Sequence, residues 1–524
     1  MPEDILLDRE DGPSLRQVFL HQAHCRPQAP ALQLGQRQVS YGQLLDRAGQ
    51  WADALLAALG RPPRRVGVFA HRSETAYTGV VAALLSGAAY VPLNRTFPLE
   101  RTRSMIARAQ LDALIVDAAS APQLAPVLEA GGPSLILAPD GPLEVEGVEI
   151  LDGQGPGRSH WPPVASGDLA YLLFTSGSTG EPKGVGISQA NILHFLGAVQ
   201  QRYGIGPEDR LSQTFDLTFD LSVFDLFAAW QGGACVCVPQ ALDLLSPARF
   251  VQRQQITVWF SVPSLPQLMR RKNLLEPESM PTLRWSLFCG EPLPQGIARV
   301  WQAAAPYSTV ENLYGPTELT LACLWHRWEA AQEPQGATDA AVAIGRPLPG
   351  LTALVLDEEG QPAPKGQAGE LWVGGPQTAP GYWRDEALTV VRFTEMAGMR
   401  GYCTGDRVRQ RPDGIYEYLG RSDQQIKVLG HRVELGEIEA ALRQVAGLDQ
   451  VAALGWPWHQ GSAQGIVAFA AAADLDQDKV REQLAGLLPA YMVPSRLLPL
   501  DSLPLNANGK IDRAALEVLL QAAG

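Results

Sequence analysis

Paired CxxC cysteines, zinc-ligand spacing and a basic surplus are all missing from this chain of 524 residues. Its cysteines are Cys25, Cys235, Cys237, Cys289, Cys323 and Cys403, none in a Cys/His cluster. That excludes a zinc module or a disulfide framework and fits a reduced compartment. Lys and Arg number 42 against 55 Asp and Glu, a net charge of −13. A nucleic-acid partner wants a basic face, so that class is set aside. No apolar run approaches the ~20 residues that span a bilayer. The opening MPEDILLDRE lacks the basic-then-apolar order of a secretion signal. The expectation is a soluble, cytoplasmic protein with no membrane partner. Internal repeats and low-complexity tails are also absent.

What remains is ordinary globular composition, 46% hydrophobic and 19% charged, in a chain long enough for about two to four domains. Residues 14–60 read as helix, strand, helix, with Ser40 as a helix start. Arg65–Ala70, Leu114–Val116 and Leu135–Leu137 read as buried strands, alternating with helical spacing such as Thr78–Leu85. The alternation predicts an α/β fold, a large N-terminal domain of layered sheets. After Gly369 short strands and turns predict a β-rich subdomain, with strands at Glu370–Val373, Gly401–Thr404 and Ile415–Tyr418. A basic-polar segment follows Arg421. Beyond it lie a helix at Leu435–Val445, strands near Val451–Leu454 and Gly465–Ala470, and a helix at Asp476–Leu487. That last part has the size of a small α+β C-terminal domain.

The densest chemical signal is YLLFTSGSTGEPKGV at Tyr171–Val185. An apolar strand runs into Thr175, Ser176, Gly177, Ser178, Thr179 and Gly180, and then reaches Pro182 and Lys183. Glycines let backbone N–H groups turn toward an anion, hydroxyls add donors, and the lysine adds charge. The plainer alternative is a flexible surface loop. It is not a Walker loop, because Val185 stands where that pattern needs Ser or Thr.

This loop resembles the ATP signature of the ANL superfamily, which comprises acyl-CoA synthetases, adenylation domains of nonribosomal peptide synthetases, and luciferases. Further matching motifs follow in the family's order: LLSGAAYVPLN (Leu84–Asn94), FDLTFDLSVFDLF (Phe215–Phe227), NLYGPTEL (Asn312–Leu319) and GELWVGGPQTAPGYW (Gly369–Trp383). Then come YCTGD (Tyr402–Asp406), GRSDQQIKVLGHRVELGEIE (Gly420–Glu439), LPAYMVP (Leu488–Pro494) and LNANGKIDR (Leu505–Arg513). The amino-acid-activating branch fits best.

The resemblance implies ATP and Mg²⁺ as cofactors and assigns roles to residues. Lys510 is the catalytic cation that reaches the substrate carboxylate and the AMP oxygens. Glu318 holds Mg²⁺, Thr175 and Thr317 meet phosphate, Tyr314 stacks on adenine, and Asp406 and Arg421 hold the ribose. The core is expected at 1–422. A mobile domain at 423–524 turns about Asp423 between two half-reactions, Lys510 completing the site in one and the loop Ile426–His431 in the other. Gly430 then leaves room for a pantetheine arm.

Asp220 implies pairing with a substrate α-ammonium, since a carboxylate facing an apolar pocket is costly unless a cation meets it. The other matched pocket positions are Leu221, Phe224, Phe260, Leu287, Cys289, Leu313, Leu321 and Ala322, none charged. A small apolar amino acid is expected. The set, with WFSVPSL and LFCGEPLP around it, resembles the stand-alone prolyl-activating enzymes of pyrrole biosynthesis. L-Proline is favoured, with isoleucine, valine and small analogues as alternatives. Gly131-Gly132-Pro133-Ser134 has the look of a phosphopantetheine attachment motif but reads as a loop, and no HHxxxDG motif is present. The acceptor is therefore expected to be a stand-alone phosphopantetheinylated carrier protein acting in trans. An acyl-CoA synthetase and a non-catalytic scaffold are the competing readings. Asp220 speaks against the first, and the intact Thr175, Lys183, Glu318, Asp406 and Lys510 against the second.

Overall fold

The computed structural model describes residues 13–155, 160–177, 181–330, 340–423, 425–448, 450–459, 462–472, 475–505 and 511–523. Local signals set the first elements. The Ser40 hydroxyl accepts from the Gln43 N–H and the Gln43 side chain answers it, so helix Tyr41–Leu59 begins there, and Gly60 ends it in the left-handed region. Strands such as Ala113–Val116 are buried throughout, as expected where helices cover both faces of a parallel sheet.

Two large sheets dominate the N-terminal domain. A seven-stranded sheet runs in the spatial order Glu149–Leu151, Leu135–Leu137, Ala113–Val116, Arg65–Phe69, Ala89–Leu93, Leu169–Thr175, Lys183–Ser188. Its strands are parallel except the last, which turns back against Leu169–Thr175 and pairs Thr175 with Lys183. A nine-stranded sheet places Arg210–Ser212, Val258–Ser261, Trp285–Phe288 and Thr309–Tyr314 side by side and parallel. One hydrophobic core fills the space between the two sheets and includes Tyr90, Tyr171, Phe195, Phe224 and Trp230. Ligands in open parallel sheets sit beyond the carboxyl ends of the strands. Thr175 and Tyr314 end two of these strands, and Cys289 follows a third; Thr175 and Cys289 line one cavity and Tyr314 the adjoining one.

A five-stranded antiparallel sheet, built on Ala368–Gly374 and Met399–Gln410, is the expected β-rich subdomain. The small C-terminal domain has its own two cores. One packs helix Leu435–Ala446 through Leu435, Ile438 and Leu442. The other gathers Ala452, Phe469, Leu516 and Leu520.

The basic-polar segment after Arg421 is more ordered than its composition implies. Gln425–Val428 and His431–Glu434 form a hairpin, with Val428 paired to His431. The two residues between them, Leu429 and Gly430, both have positive φ, +49° and +85°. A two-residue turn of that kind matches the twist of its strands, but Leu-Gly carries half of the usual Asn-Gly signal.

Candidate functional site

Strand Leu169–Thr175 brings Thr175 and Ser176, the start of the Thr/Ser/Gly segment, to the cleft. A Cβ on Gly177 would stand 1.9 Å from the Glu181 carbonyl oxygen, so the loop closes on itself only because that position is glycine. Among the described residues the Thr175 hydroxyl is buried without a partner. Ser178, Thr179 and Gly180 lie outside the described residues, as does Lys510.

Across the cleft, Glu318 sits in a 3-10 turn, Thr317–Leu319, directly after Pro316. Its side chain is fully buried. Oε1 accepts from the Tyr382 hydroxyl at 2.7 Å and the Tyr402 hydroxyl at 3.0 Å, and Oε2 accepts from Arg432 at 2.8 Å. Burial alone would raise this carboxyl. Arg432 and Lys183 outweigh it and hold the pKa at about 2. Thr320 and Leu321 follow with φ of +58° and +75°. Two consecutive left-handed non-glycine residues store strain of the sort found at functional sites.

A second corner joins the β-rich subdomain to the end of strand Thr309–Tyr314. The Tyr314 hydroxyl donates to Asp406, and Arg421 donates to Asp406 at 2.7 Å and to Asp423 at 2.6 Å. Leu313, Tyr314, Asp406, Tyr418 and Arg421 line one cavity.

An adjoining cavity is lined by Thr175, Ser176, Asp220, Leu221, Cys289 and Thr317 among others. Asp220 precedes helix Leu221–Gly232. Burial raises its pKa to about 6, although the Thr317 hydroxyl and the Lys427 cation pull the other way. Among the described residues no lysine or arginine forms an ion pair with it. Burial pushes the neighbouring Cys289 thiol up to about 12, so it is a neutral wall. Phe224, Phe260, Leu287, Leu321 and Ala322 are buried in the core between the sheets with Leu221, Cys289 and Leu313. They pack behind this cavity and do not border it. Phe260 makes edge contacts with Phe215 and Phe224 at 5.0 and 4.9 Å.

The C-terminal segment expected to enter the site in one orientation, Ile426–His431, lies at the cleft here; the cross-domain partners it brings were not named from sequence. Its hairpin puts Lys427, Gly430, His431 and Arg432 into the wall of the Asp220 cavity. Lys427 also borders the Tyr314 cavity, so it stands where the two meet. Lys183 lies 3.3 Å from Glu434, the Gly177 N–H donates to Glu437, and the Ser176 hydroxyl donates to the Arg432 carbonyl. Arg101 pairs with Glu437 at 2.6 Å with both side chains buried. His431 stacks on Tyr491, and burial lowers its pKa to about 4, so the ring is neutral. Lys427, Arg432, Glu434 and Glu437 all fall inside the quoted Gly420–Glu439 motif. Their type was visible there; that they meet Glu318 and the cradle was not. Arg101 had no local signal.

Thr175 and Ser176, the buried Glu318 next to Thr317, and the Asp220 carboxylate thus come together around one cleft. The family model for AMP-binding enzymes matches residues 19–383, and that for the AMP-binding enzyme C-terminal domain matches residues 437–510. The chain belongs to the AMP-binding enzyme family. This AMP-binding enzyme is 36% identical to the L-proline--[L-prolyl-carrier protein] ligase of Streptomyces coelicolor, over 91% of this chain and 92% of that protein. It is 35% identical to tyrocidine synthase 3 of Brevibacillus parabrevis over 96% of its own length, yet spans only 8% of that much longer relative. Its fold matches the Vibrio cholerae adenylation domain AlmE, solved with glycyl-adenosine-5'-phosphate, at a TM-score of 0.88 and 32% identity, covering 99% of this chain and 100% of that one. Among the described residues no helix is long and apolar enough to cross a membrane, and no group of three or more His, Cys, Asp or Glu gathers to hold a metal.

Proposed function

We propose that this enzyme uses ATP to activate a small apolar amino acid, L-proline first among them, as an aminoacyl-AMP. It then passes the acyl group to the phosphopantetheine thiol of a separate carrier protein. The observation that carries the reading is Asp220. A buried carboxylate raised to about 6, with Leu221 and Cys289 beside it and no lysine or arginine paired to it among the described residues, is stabilised when a ligand ammonium meets it. The Streptomyces relative, matched over nearly its whole length, supports proline and a carrier acceptor.

In the first half-reaction a carboxylate oxygen attacks the α-phosphorus, and the bond to pyrophosphate breaks. The loop from Thr175 to Gly180, with Lys183 and Thr317, holds the phosphates. Tyr314 meets the adenine, Asp406 and Arg421 the ribose. Lys510 spans the carboxylate and the α-phosphate, where charge develops. Mg²⁺ fits Glu318: the two tyrosine hydroxyls fix Oε1, while Oε2 takes a cation, here that of Arg432. The metal would neutralise charge on the leaving phosphates.

In the second half-reaction residues 423–524 turn about Asp423 and the thiol sulfur attacks the acyl carbon, releasing AMP. The described orientation fits this half. Glu434 and Glu437 stand on the cradle in place of phosphates, and Arg432 stands on Glu318 in place of a metal. Gly430, with φ +85°, lies against Val262 at the cavity wall and leaves the arm its path.

Pyrophosphate exchange across the twenty amino acids tests the reading, with proline expected to give the strongest signal. Equal stimulation by des-amino acids would remove Asp220 from the assignment. No stimulation by any amino acid would favour the scaffold.

A further inference from the structure

The polar ties between the domains fall into two kinds. Ser176, Gly177, Lys183 and Glu318 contact the C-terminal domain through groups that the first half-reaction also needs. Glu291 is different. It is 7% exposed, and its carboxylate takes three donors. Oε1 accepts from the Gly430 N–H at 2.6 Å and the Ser462 hydroxyl at 3.0 Å, both in the C-terminal domain. Oε2 accepts from the N–H of Ser264 at 2.7 Å, the first residue of helix Ser264–Arg271 in the N-terminal domain. The Ser462 hydroxyl also lies 3.2 Å from the carbonyl of Lys427, beside the same turn, and shares its one proton between that carbonyl and the acid.

We propose that Glu291 is the positioning residue for acyl transfer: it seats the Gly430 turn and the Ser462 hairpin against the N-terminal domain in this orientation and in no other. This rests on the reading of the orientation given above. The discrimination follows from solvation. A buried carboxylate needs its donors, and here two of the three arrive with the moving domain. When that domain turns away, water replaces them at an opened surface. The acid therefore favours the closed arrangement by charge-assisted bonds that exist only there. The close approach also needs a glycine, because a Cβ at Gly430 would lie 2.5 Å from Val262.

The test uses the full chain with Glu291→Gln and, separately, Ser462→Ala. One assay follows proline-dependent pyrophosphate exchange. The other follows single-turnover transfer from prolyl-AMP to pantetheine. Ser462→Ala keeps exchange at the parent rate and slows transfer by about threefold, and Glu291→Gln lowers transfer relative to exchange by about tenfold. A third readout is the distance between one fluorophore in each domain, which in Glu291→Gln shifts away from the present value. Equal loss of exchange and transfer, or unchanged transfer in both variants, overturns the proposal. If the parent protein exchanges with no amino acid, the functional reading fails, and the fluorophore distance alone decides on Glu291: an unchanged value in Glu291→Gln rejects it.

Discussion

The Arg432 guanidinium lies 2.8 Å from the Glu318 carboxylate, joining the C-terminal hairpin to the acid proposed to hold Mg²⁺. One carboxylate oxygen cannot serve both cations at close range. Metal-bound nucleotide and this domain orientation are therefore mutually exclusive at Glu318. The expected consequence is that Arg432→Ala slows acyl transfer by tenfold or more, because a fully buried carboxylate is left uncompensated in this arrangement. Pyrophosphate exchange, which needs Glu318 free, falls by less than about threefold. Parallel loss in the two assays would show that Arg432 acts in both half-reactions.

Asp220 gives a pH dependence with a definite sign. Its folded pKa is about 6, above the ordinary 3.8, so it binds a proton as pH falls through 6. A neutral carboxyl cannot pair with a substrate ammonium. The KM for the amino acid is expected to climb roughly tenfold per unit below pH 6. Lys427 lowers this pKa in the present orientation, so moving that cation away shifts the threshold upward, never downward. Asp220→Asn removes the dependence and raises KM at every pH. A flat KM profile in the parent enzyme between pH 5 and pH 7 would contradict the assignment.

The sequence carried the fold well, because its signals are local. Ser40 caps the helix expected after it, and the apolar runs at Arg65–Phe69 and Ala113–Val116 are strands of one parallel sheet. Of the residues named from motif position, Asp220 and Cys289 line one cavity and Asp406 and Arg421 the other, while Glu318 is buried against Arg432. Phe224, Phe260 and Leu287, named the same way, are buried in the core between the sheets, since motif position gives a strand end or helix face but not the depth of packing. What stayed hidden was pairing over long separation. Glu291 and Gly430, or Arg101 and Glu437, meet only because two domains dock, and no local pattern encodes that.

Lys510 is proposed to act in the first half-reaction alone. Its flanks, Leu505 and Ile511, bridge to each other, and Ile511 packs on the core that holds Phe469 and Leu516. Among the described residues, Lys427 and Arg432 are the C-terminal-domain cations that line the cleft. Lys510→Ala should therefore abolish pyrophosphate exchange, by a factor of about a hundred or more, from loss of a cation aimed at developing charge. Transfer from supplied prolyl-AMP should stay within about twofold of the parent. Rates that fall together would mean that one orientation performs both steps.

Gly430 offers the sharpest steric test. Its φ of +85° is one that side chains rarely adopt, and a Cβ there would meet three atoms of Val262 at 2.5, 3.0 and 3.1 Å. Val262 follows strand Val258–Ser261 and packs, partly buried, against the core between the sheets, so the clash falls on a short branched side chain rather than on a flexible one. Gly430→Val must therefore lift the hairpin turn off the N-terminal domain. Lifting it breaks the Gly430 bond to Glu291 and opens the cavity wall where the thiol arm is proposed to enter. The hairpin itself folds within the C-terminal domain, through the pairing of Val428 with His431 and the core around Val433, so the variant keeps its fold. The expected result is near-complete loss of acyl transfer with pyrophosphate exchange retained. Adding Val262→Ala to Gly430→Val should return part of the transfer rate by making room for the new side chain. Failure of that second substitution to restore any transfer would place the defect in turn strain rather than in the clash.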